Sequence, residues 1–318
     1  DSISARDVYT GKTLWKRVLK GLNTFGVFYD KSYKPDFMDL SYNQQHIPGA
    51  SVRGTNFVVT GDHVYVVQGI QCHVLDAGSG QTVSVLSLPE QNGLTPKEWA
   101  YIGIYEEYLI AGADFVQQTD LLDKLKSKKE LGKWSTLIDK NASKRLVIMN
   151  RYTGQVLWTL DAQQGFLHNA IIADKGRLVC LDRTAPHILK CVKDRRIRDS
   201  HKGRLLSLDM RTGEIIWQNT ETAFGTWLSY SAEHDMLLQA FRKSRDMFWE
   251  PGNRMATHHA ATGQVIWDEP IDHSGPCMLH RDKIITQTTA YELLTGRQWT
   301  RTHPLTGQPV PWPYARNH

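Results

Sequence analysis

The segment Asn150-Arg151-Tyr152-Thr153-Gly154-Gln155-Val156-Leu157-Trp158 decides the fold of this 318-residue chain. An apolar run, Leu146 to Met149, leads into it. Gly154 can supply the positive φ of a tight turn, and β-branched or aromatic residues flank it, as in a β-hairpin. The pattern recurs at fixed offsets, with a polar residue four before the glycine and a Trp four after it. Asp7…Thr10-Gly11…Trp15, Asp209…Thr212-Gly213…Trp217 and His259…Thr262-Gly263…Trp267 keep all of it. Asp76…Ser79-Gly80 keeps the first half and lacks the Trp, and Glu292…Thr295-Gly296…Trp299 is one residue shorter. Self-similarity of this kind marks a repeat architecture.

Apolar runs around these turns come in fours. Phe57 to Thr60, His63 to Val67, Cys72 to Asp76 and Thr82 to Leu88 make one set, with a Gly61-Asp62 turn inside it. A second set runs through Tyr101, Tyr108, Leu146 and Val156, and a third through Asn169, Leu178, Leu205 and Ile215. A fourth runs through Trp227, Met236, Ala256 and Val265, and a fifth through Cys277, Ile284, Ala290 and Arg297 to Thr300. Each set predicts a four-stranded antiparallel meander that cannot bury both faces alone. Radial stacking solves that, so the expected fold is an all-β propeller over residues 1–318. The chain holds five complete units and a half unit at its start.

The pattern of apolar strand, Asp or Asn, Thr-Gly and Trp resembles the repeat of the pyrroloquinoline quinone (PQQ)-type propellers. These include the quinoprotein alcohol dehydrogenases and the outer-membrane assembly lipoprotein of the BamB type. The resemblance implies a ring of seven or eight blades, of which this chain is a part, and a bacterial, extracytoplasmic setting. It implies structural roles for Gly11, Gly80, Gly154, Gly213, Gly263 and Gly296. Trp15, Trp158, Trp217, Trp267 and Trp299 are expected to fill the gaps between blades. Two functions follow from it. One is a binding or assembly scaffold whose partner is another protein or the remainder of the same polypeptide. The other is part of a PQQ- and calcium-dependent dehydrogenase acting on alcohols or sugars. Those dehydrogenases carry two adjacent cysteines against the quinone, and no Cys-Cys pair occurs here, so no catalytic residue is carried over.

Composition narrows the class further. Hydrophobic residues make up 41% of the chain, and no apolar run approaches the roughly 18 residues of a membrane helix. The net charge of +5 is too mild to indicate a nucleic-acid partner, and none is expected. Cys72, Cys180, Cys191 and Cys277 lack zinc or haem spacing and read as buried thiols, with a Cys180–Cys191 disulfide as the alternative.

With strands labelled A to D outward from the axis, the Thr-Gly turns join C to D at the same end as the A–B turns. Every long insertion falls at the opposite end: 16–50, 112–144, 182–203 and 242–255. Long loops gathered on one rim of a rigid scaffold mark its functional face. Leu121, Leu122, Leu125, Leu131 and Leu137 space a short amphipathic helix within 120–138. Lys190, Lys193, Arg195, Arg196, Arg198 and Lys202, with Arg242 and Arg245 of the later loop, predict a positive rim suited to an anionic small ligand or an acidic partner surface. Trp249, on that rim, and Trp227 offer either a stacking plane or core and rim packing, with packing the favoured role. His259 is expected to replace the Asp that caps its turn. His273, Cys277 and His280 match no common metal spacing.

Overall fold

The five-residue turns fold as their chemistry dictates. The Asp7 carboxylate accepts from the Tyr9 and Thr10 amides and from the Thr10 hydroxyl, at 3.1, 2.7 and 2.7 Å. Asn150 accepts the equivalent three bonds, Asp76 accepts from the Ser79 amide and hydroxyl, and Asp209 from the Arg211 and Thr212 amides. Thr10 and Ser79 hydroxyls hold Asp7 and Asp76 below the usual carboxylate range, and the Thr212 amide leads the same effect at Asp209. Each turn closes on a glycine with φ near +70°. His259 departs from expectation. Its backbone carbonyl, not its ring, accepts the Thr262 amide at 3.2 Å.

A computed structural model describes residues 2–22, 54–91, 93–116, 140–192, 194–243, 250–287 and 289–312. The chain divides into two compact units, Asp1–Gln117 with Lys133–Ala162, and Gln118–Gly132 with Gln163–His318.

In the first unit, β1 (Ser2–Arg6) and β2 (Thr13–Val18) form a hairpin, followed by a four-stranded meander. That meander runs β3 (Phe57–Val59), β4 (His63–Gln68), β5 (Gln71–Asp76) and β6 (Thr82–Ser87). Next come β7 (Trp99–Tyr105), β8 (Tyr108–Phe115) and β9 (Ala142–Asn150). The segment expected to be an outer strand, a link and a new inner strand is continuous instead. It is β10 (Val156–Asp174), 19 residues long. A register shift between Phe166 and Ile171 takes the place of a link.

In the second unit β10 pairs with β11 (Arg177–Asp182), then β12 (Arg204–Asp209) and β13 (Ile215–Asn219). A further meander comprises β14 (Trp227–Ser231), β15 (Met236–Ala240), β16 (Met255–His259) and β17 (Val265–Glu269). The last full set is three-stranded: β18 (Met278–His280), β19 (Lys283–Ile285) and β20 (Ala290–Glu292). Arg297 to Thr300 does not form the expected fourth strand. It meets β20 through the Tyr291–Gln298 bridge, the Trp299 amide on the Ala290 carbonyl and the Arg297 carbonyl and guanidinium on Glu292. A hairpin of β21 (Thr300–Thr302) and β22 (Pro309–Pro311) follows, around a Thr306-Gly307 turn outside the five expected sets. There the His303 ring does cap, with Nδ1 facing the Leu305 and Thr306 amides at 3.3 and 3.2 Å.

Within each meander the Thr-Gly turn lies beside the A–B turn, as expected. The Ala77 amide donates to Asp62, Arg151 to Glu107, Met210 to Gly176, Ala260 to Asp235 and Leu293 to Asp282. The outer hairpins share one bulge just past the turn, and its extra residue, Leu14, Val83 or Ile216, faces solvent.

Sheets stack through the Trp–Gly pairing. Trp15 lies on Gly80, Trp217 on Gly263 and Trp267 on Gly296, where an added Cβ would come within 2.5 to 3.0 Å of the ring. Each indole N–H donates to the carbonyl three residues before that glycine: Ala77, Ala260 and Leu293, at 2.9, 2.9 and 2.8 Å. Where the Trp is lacking, Leu86 covers Gly154 instead. Trp299 departs from the expected role. Nothing lies within 4 Å of a Cβ on Gly307, and the Trp299 ring sits under the Lys283 ammonium at 4.3 Å. A one-residue change of offset turns a strand side chain to the other face. Arg151 adds a polar pin in the first unit, donating to Thr60 Oγ1, Asp62 Oδ1 and Tyr65 Oη at 3.2, 3.0 and 3.0 Å.

The cysteines are core groups. Cys72, Cys180 and Cys277 are buried free thiols, so Cys180 forms no disulfide. Burial pushes Cys72 and Cys277 up to about 12. Insertions 16–50 and 112–144 lie largely outside the described residues, including the 120–138 leucines.

Candidate functional site

The insertion at 182–203 is a built structure. Its entry residue, Asp182, ends β11 with its side chain fully buried. The carboxylate accepts from the amides of Gln163, Gln164 and Gly165 at 2.8, 2.9 and 2.8 Å, and from Arg204 Nε at 2.9 Å. Four donors therefore satisfy one buried charge and tie the β10 irregularity to both sides of the loop. Gln164 closes the bracket. Its Oε1 accepts from the Thr184 amide at 2.8 Å, and its Nε2 donates to the Lys202 carbonyl at 2.6 Å. Gly203 is required here, because a Cβ would come within 2.5 Å of Arg183.

Between the brackets lie two short helices, α1 (Pro186–Cys191) and α2 (Arg195–Ser200). Pro186 at the start of α1 suits the fixed φ of a first helical turn. Buried Ala185, Ile188 and Val192 anchor α1 in the core. Asp194 caps α2 by accepting from the Arg196 amide at 2.8 Å, and Ser200 donates to the Ile197 carbonyl at 2.8 Å. No residue of α2 is buried.

The expected rim cations separate into two groups. Lys190, Arg195, Arg196, Arg198 and Lys202 are all exposed on this loop, and Arg195 meets only Asp199, at 3.7 Å in open solvent. Lys193 lies outside the described residues, as do Arg245 and Trp249. Arg242 is drawn inward: its amide donates to Glu250 at 2.6 Å and its guanidinium lies 5.6 Å from the Trp227 ring. Trp227 is held by its own N–H, which faces the Cys277 carbonyl at 2.9 Å and the Ser229 hydroxyl at 2.8 Å. It is a packing residue.

Glu250 was not singled out by the sequence, yet it organises the second loop. It is 5% exposed; Oε1 accepts from the Arg242 amide and from the Thr226 hydroxyl, while Oε2 has no partner among the described residues. Burial pushes its pKa up to about 7, against the pull of the Arg242 amide and the charges of Arg242 and Arg183. Arg183 feels the converse: burial lowers it to about 10, Glu250 works against that and Arg254 with it. Arg183 donates to the Gly225 carbonyl at 3.2 Å, and Arg254 is committed to Asp268 through two bonds of 2.8 and 2.6 Å. His273 is buried between the Phe241 and Ile271 carbonyls at 3.0 and 3.1 Å, and His258 Nε2 faces Gln239 Oε1 at 2.9 Å. These histidines are structural.

The repeat turns, the Trp–Gly stacking and the antiparallel meanders converge with one comparison. The family model described as outer membrane protein assembly factor BamB matches residues 132–303, more than half of the chain. The chain belongs to the BamB-type, PQQ-like repeat family. BamB from Moraxella catarrhalis is similar in fold, at 14% identity over 75% of this chain and 57% of that one, with a TM-score of 0.44. A europium-containing methanol dehydrogenase gives 12% identity over 86% and 57%, with a TM-score of 0.49. The quinohemoprotein alcohol dehydrogenase from Comamonas testosteroni gives 13% over 84% and 47%, with a TM-score of 0.48. The chain spans about half the length of these structures. No curated protein gives a significant match to its sequence.

Among the described residues, no three His, Cys, Asp or Glu side chains converge to hold a metal ion. Also among the described residues, no helix is long and apolar enough to cross a membrane.

Proposed function

We propose that this BamB-type chain is a binding and assembly scaffold, working in an extracytoplasmic compartment through its insertion-bearing end. The supporting observation is the construction of the 182–203 loop. Asp182 and Gln164 fix both ends to the sheet, α1 anchors the middle, and the exposed cations of α2 are held outward. Rigid presentation lowers the ordering cost of association, which is what a docking loop requires. The partner is another protein or further parts of the same polypeptide.

The test is site-specific photo-crosslinking of the full-length protein in cells. A crosslinker in place of Arg196 should capture a discrete protein partner or a further segment of the same polypeptide, while one at Val83, on the outer strand, should capture neither. Equal capture at both positions, or none, would overturn the reading. Calorimetric titration with PQQ and calcium decides the rival. Saturable binding together with dye-linked alcohol oxidation would make the protein a dehydrogenase.

A further inference from the structure

We infer that α2 and the turn leaving it, Arg195 to Lys202, form a docking surface for an acidic protein segment, one with several Asp or Glu residues in close succession. This rests on the scaffold reading and goes beyond it by naming the surface and the chemistry of its occupant.

Three observations carry it. First, the tertiary fold does not account for α2. A helix of six residues is too short to persist by propensity alone, and none of its side chains is buried. Local caps hold it, from Asp194, Ser200 and the His201 ring, and the loop beneath is pinned by Asp182 and Gln164. Second, its charge is uncompensated. Arg196, Arg198 and Lys202 have no ion pair among the described residues, and the only acids at hand are the capping Asp194 and the Asp199 facing Arg195. Third, the surface is cationic with little apolar area, Ile197 being half-buried. Among the described residues from 182 to 203, no large hydrophobic side chain is exposed.

The third point selects the occupant. Binding at a lipid surface uses an apolar face inserted beside the charge, and single-stranded nucleic acid uses stacking aromatics; α2 offers neither. Guanidinium groups held in fixed positions match carboxylates by paired hydrogen bonds. Charge complementarity therefore points to a run of carboxylates on a protein.

The experiment uses the full chain and a fluorescently labelled Glu-rich peptide, with a Gln-for-Glu peptide as the neutral control and phosphatidylglycerol vesicles as the lipid control. Anisotropy should show binding of the acidic peptide that weakens as salt rises, and at least about tenfold weaker binding of the neutral one. The triple variant Arg196→Glu, Arg198→Glu, Lys202→Glu should lose the same factor with an unmoved thermal melt. Were that melt to shift, the Arg196→Gln, Arg198→Gln, Lys202→Gln variant takes its place, with a smaller loss in the same direction. Equal binding of both peptides, or an acidic-peptide affinity indifferent to the substitutions, would overturn the inference. So would vesicle binding that depends on these residues while the peptide fails to bind. Crosslinking separates this from the broader reading. With the crosslinker moved to Lys190, which the triple variant leaves unchanged, partner capture that survives the variant sinks the acidic dock and leaves the scaffold. Absence of any partner in the wild type sinks the scaffold.

Discussion

Trp217 lies flat on Gly263, so close that a Cβ there would be 2.6 Å from the indole, and its N–H reaches the Ala260 carbonyl at 2.9 Å. One residue of a turn is thus the seat of a ring from the preceding sheet. The glycine serves twice, through its φ of +72° and through the missing side chain.

Gly263→Ala should therefore destabilise the protein by about 2–4 kcal/mol, combining left-handed backbone strain with overpacking. Gly11→Ala should cost only about 1–2 kcal/mol, because that turn has the same sign of φ and nothing within 4 Å of the Cβ position. Urea unfolding of the two variants checks the difference. Equal losses would remove the Trp contact from the explanation.

Trp267→Ala should cost about 3–5 kcal/mol, the range for deleting a large buried ring. Trp299→Ala should cost less than half of that, because among the described residues its ring meets no turn glycine and its indole N–H has no partner. Thermal melts of the pair rank them directly.

Asp182→Ala should leave the amides of Gln163, Gln164 and Gly165 and the Arg204 guanidinium unsatisfied in the interior, costing about 3–5 kcal/mol. The loss should be accompanied by faster proteolytic cleavage between Lys190 and Lys202, since the loop's bracket goes with it. Asp182→Asn should be intermediate, because it retains one acceptor oxygen. Limited trypsin digestion reports the loop and denaturant unfolding the whole.

Glu250 predicts a pH dependence of definite sign. Its folded pKa of about 7 lies above the ordinary 4.5, so the folded state holds its proton more tightly than the unfolded state does. Its contribution is fully present below pH 4.5, falls as pH rises from there to about 7, and levels off above. The total change is about 3 kcal/mol. Glu250→Gln should remove it, so the variant gains on the wild type as pH rises from 4 to about 8. Arg183, Arg242 and Arg254 stay charged across this range, and the burial-depressed His258 is common to both proteins, so the difference curve isolates Glu250. A flat difference curve would refute the burial argument.

What was legible in the sequence follows from range. An Asp or Asn, a Thr and a Gly within five residues settle a turn among themselves: the carboxylate finds the next amides, the hydroxyl finds the carboxylate, and the glycine takes the left-handed φ. The expectation weakened wherever one of those groups changed. His259 left the capping to its backbone, the shortened offset at Trp299 turned the ring away from the next glycine, and His303-Thr306-Gly307 departs from the pattern with a His at its head and Trp312 one residue late.

The insertion loops show the other limit. Their positions could be read as gaps between apolar runs, and so could their positive charge. Which of those charges stay in solvent could not, because Arg242 and Arg198 look alike in sequence and differ only in what the fold places beside them. By itself, the sequence determined the turns and the sets of strands around them, since these rest on local chemistry repeated at fixed offsets; the seating of Trp on Gly came only with the packing of the sheets. Only the tertiary structure decided that Asp182 and Gln164 bracket a loop and that Glu250 is a buried acid titrating near neutrality. Those properties depend on burial and on partners up to tens of residues away, which no local pattern records.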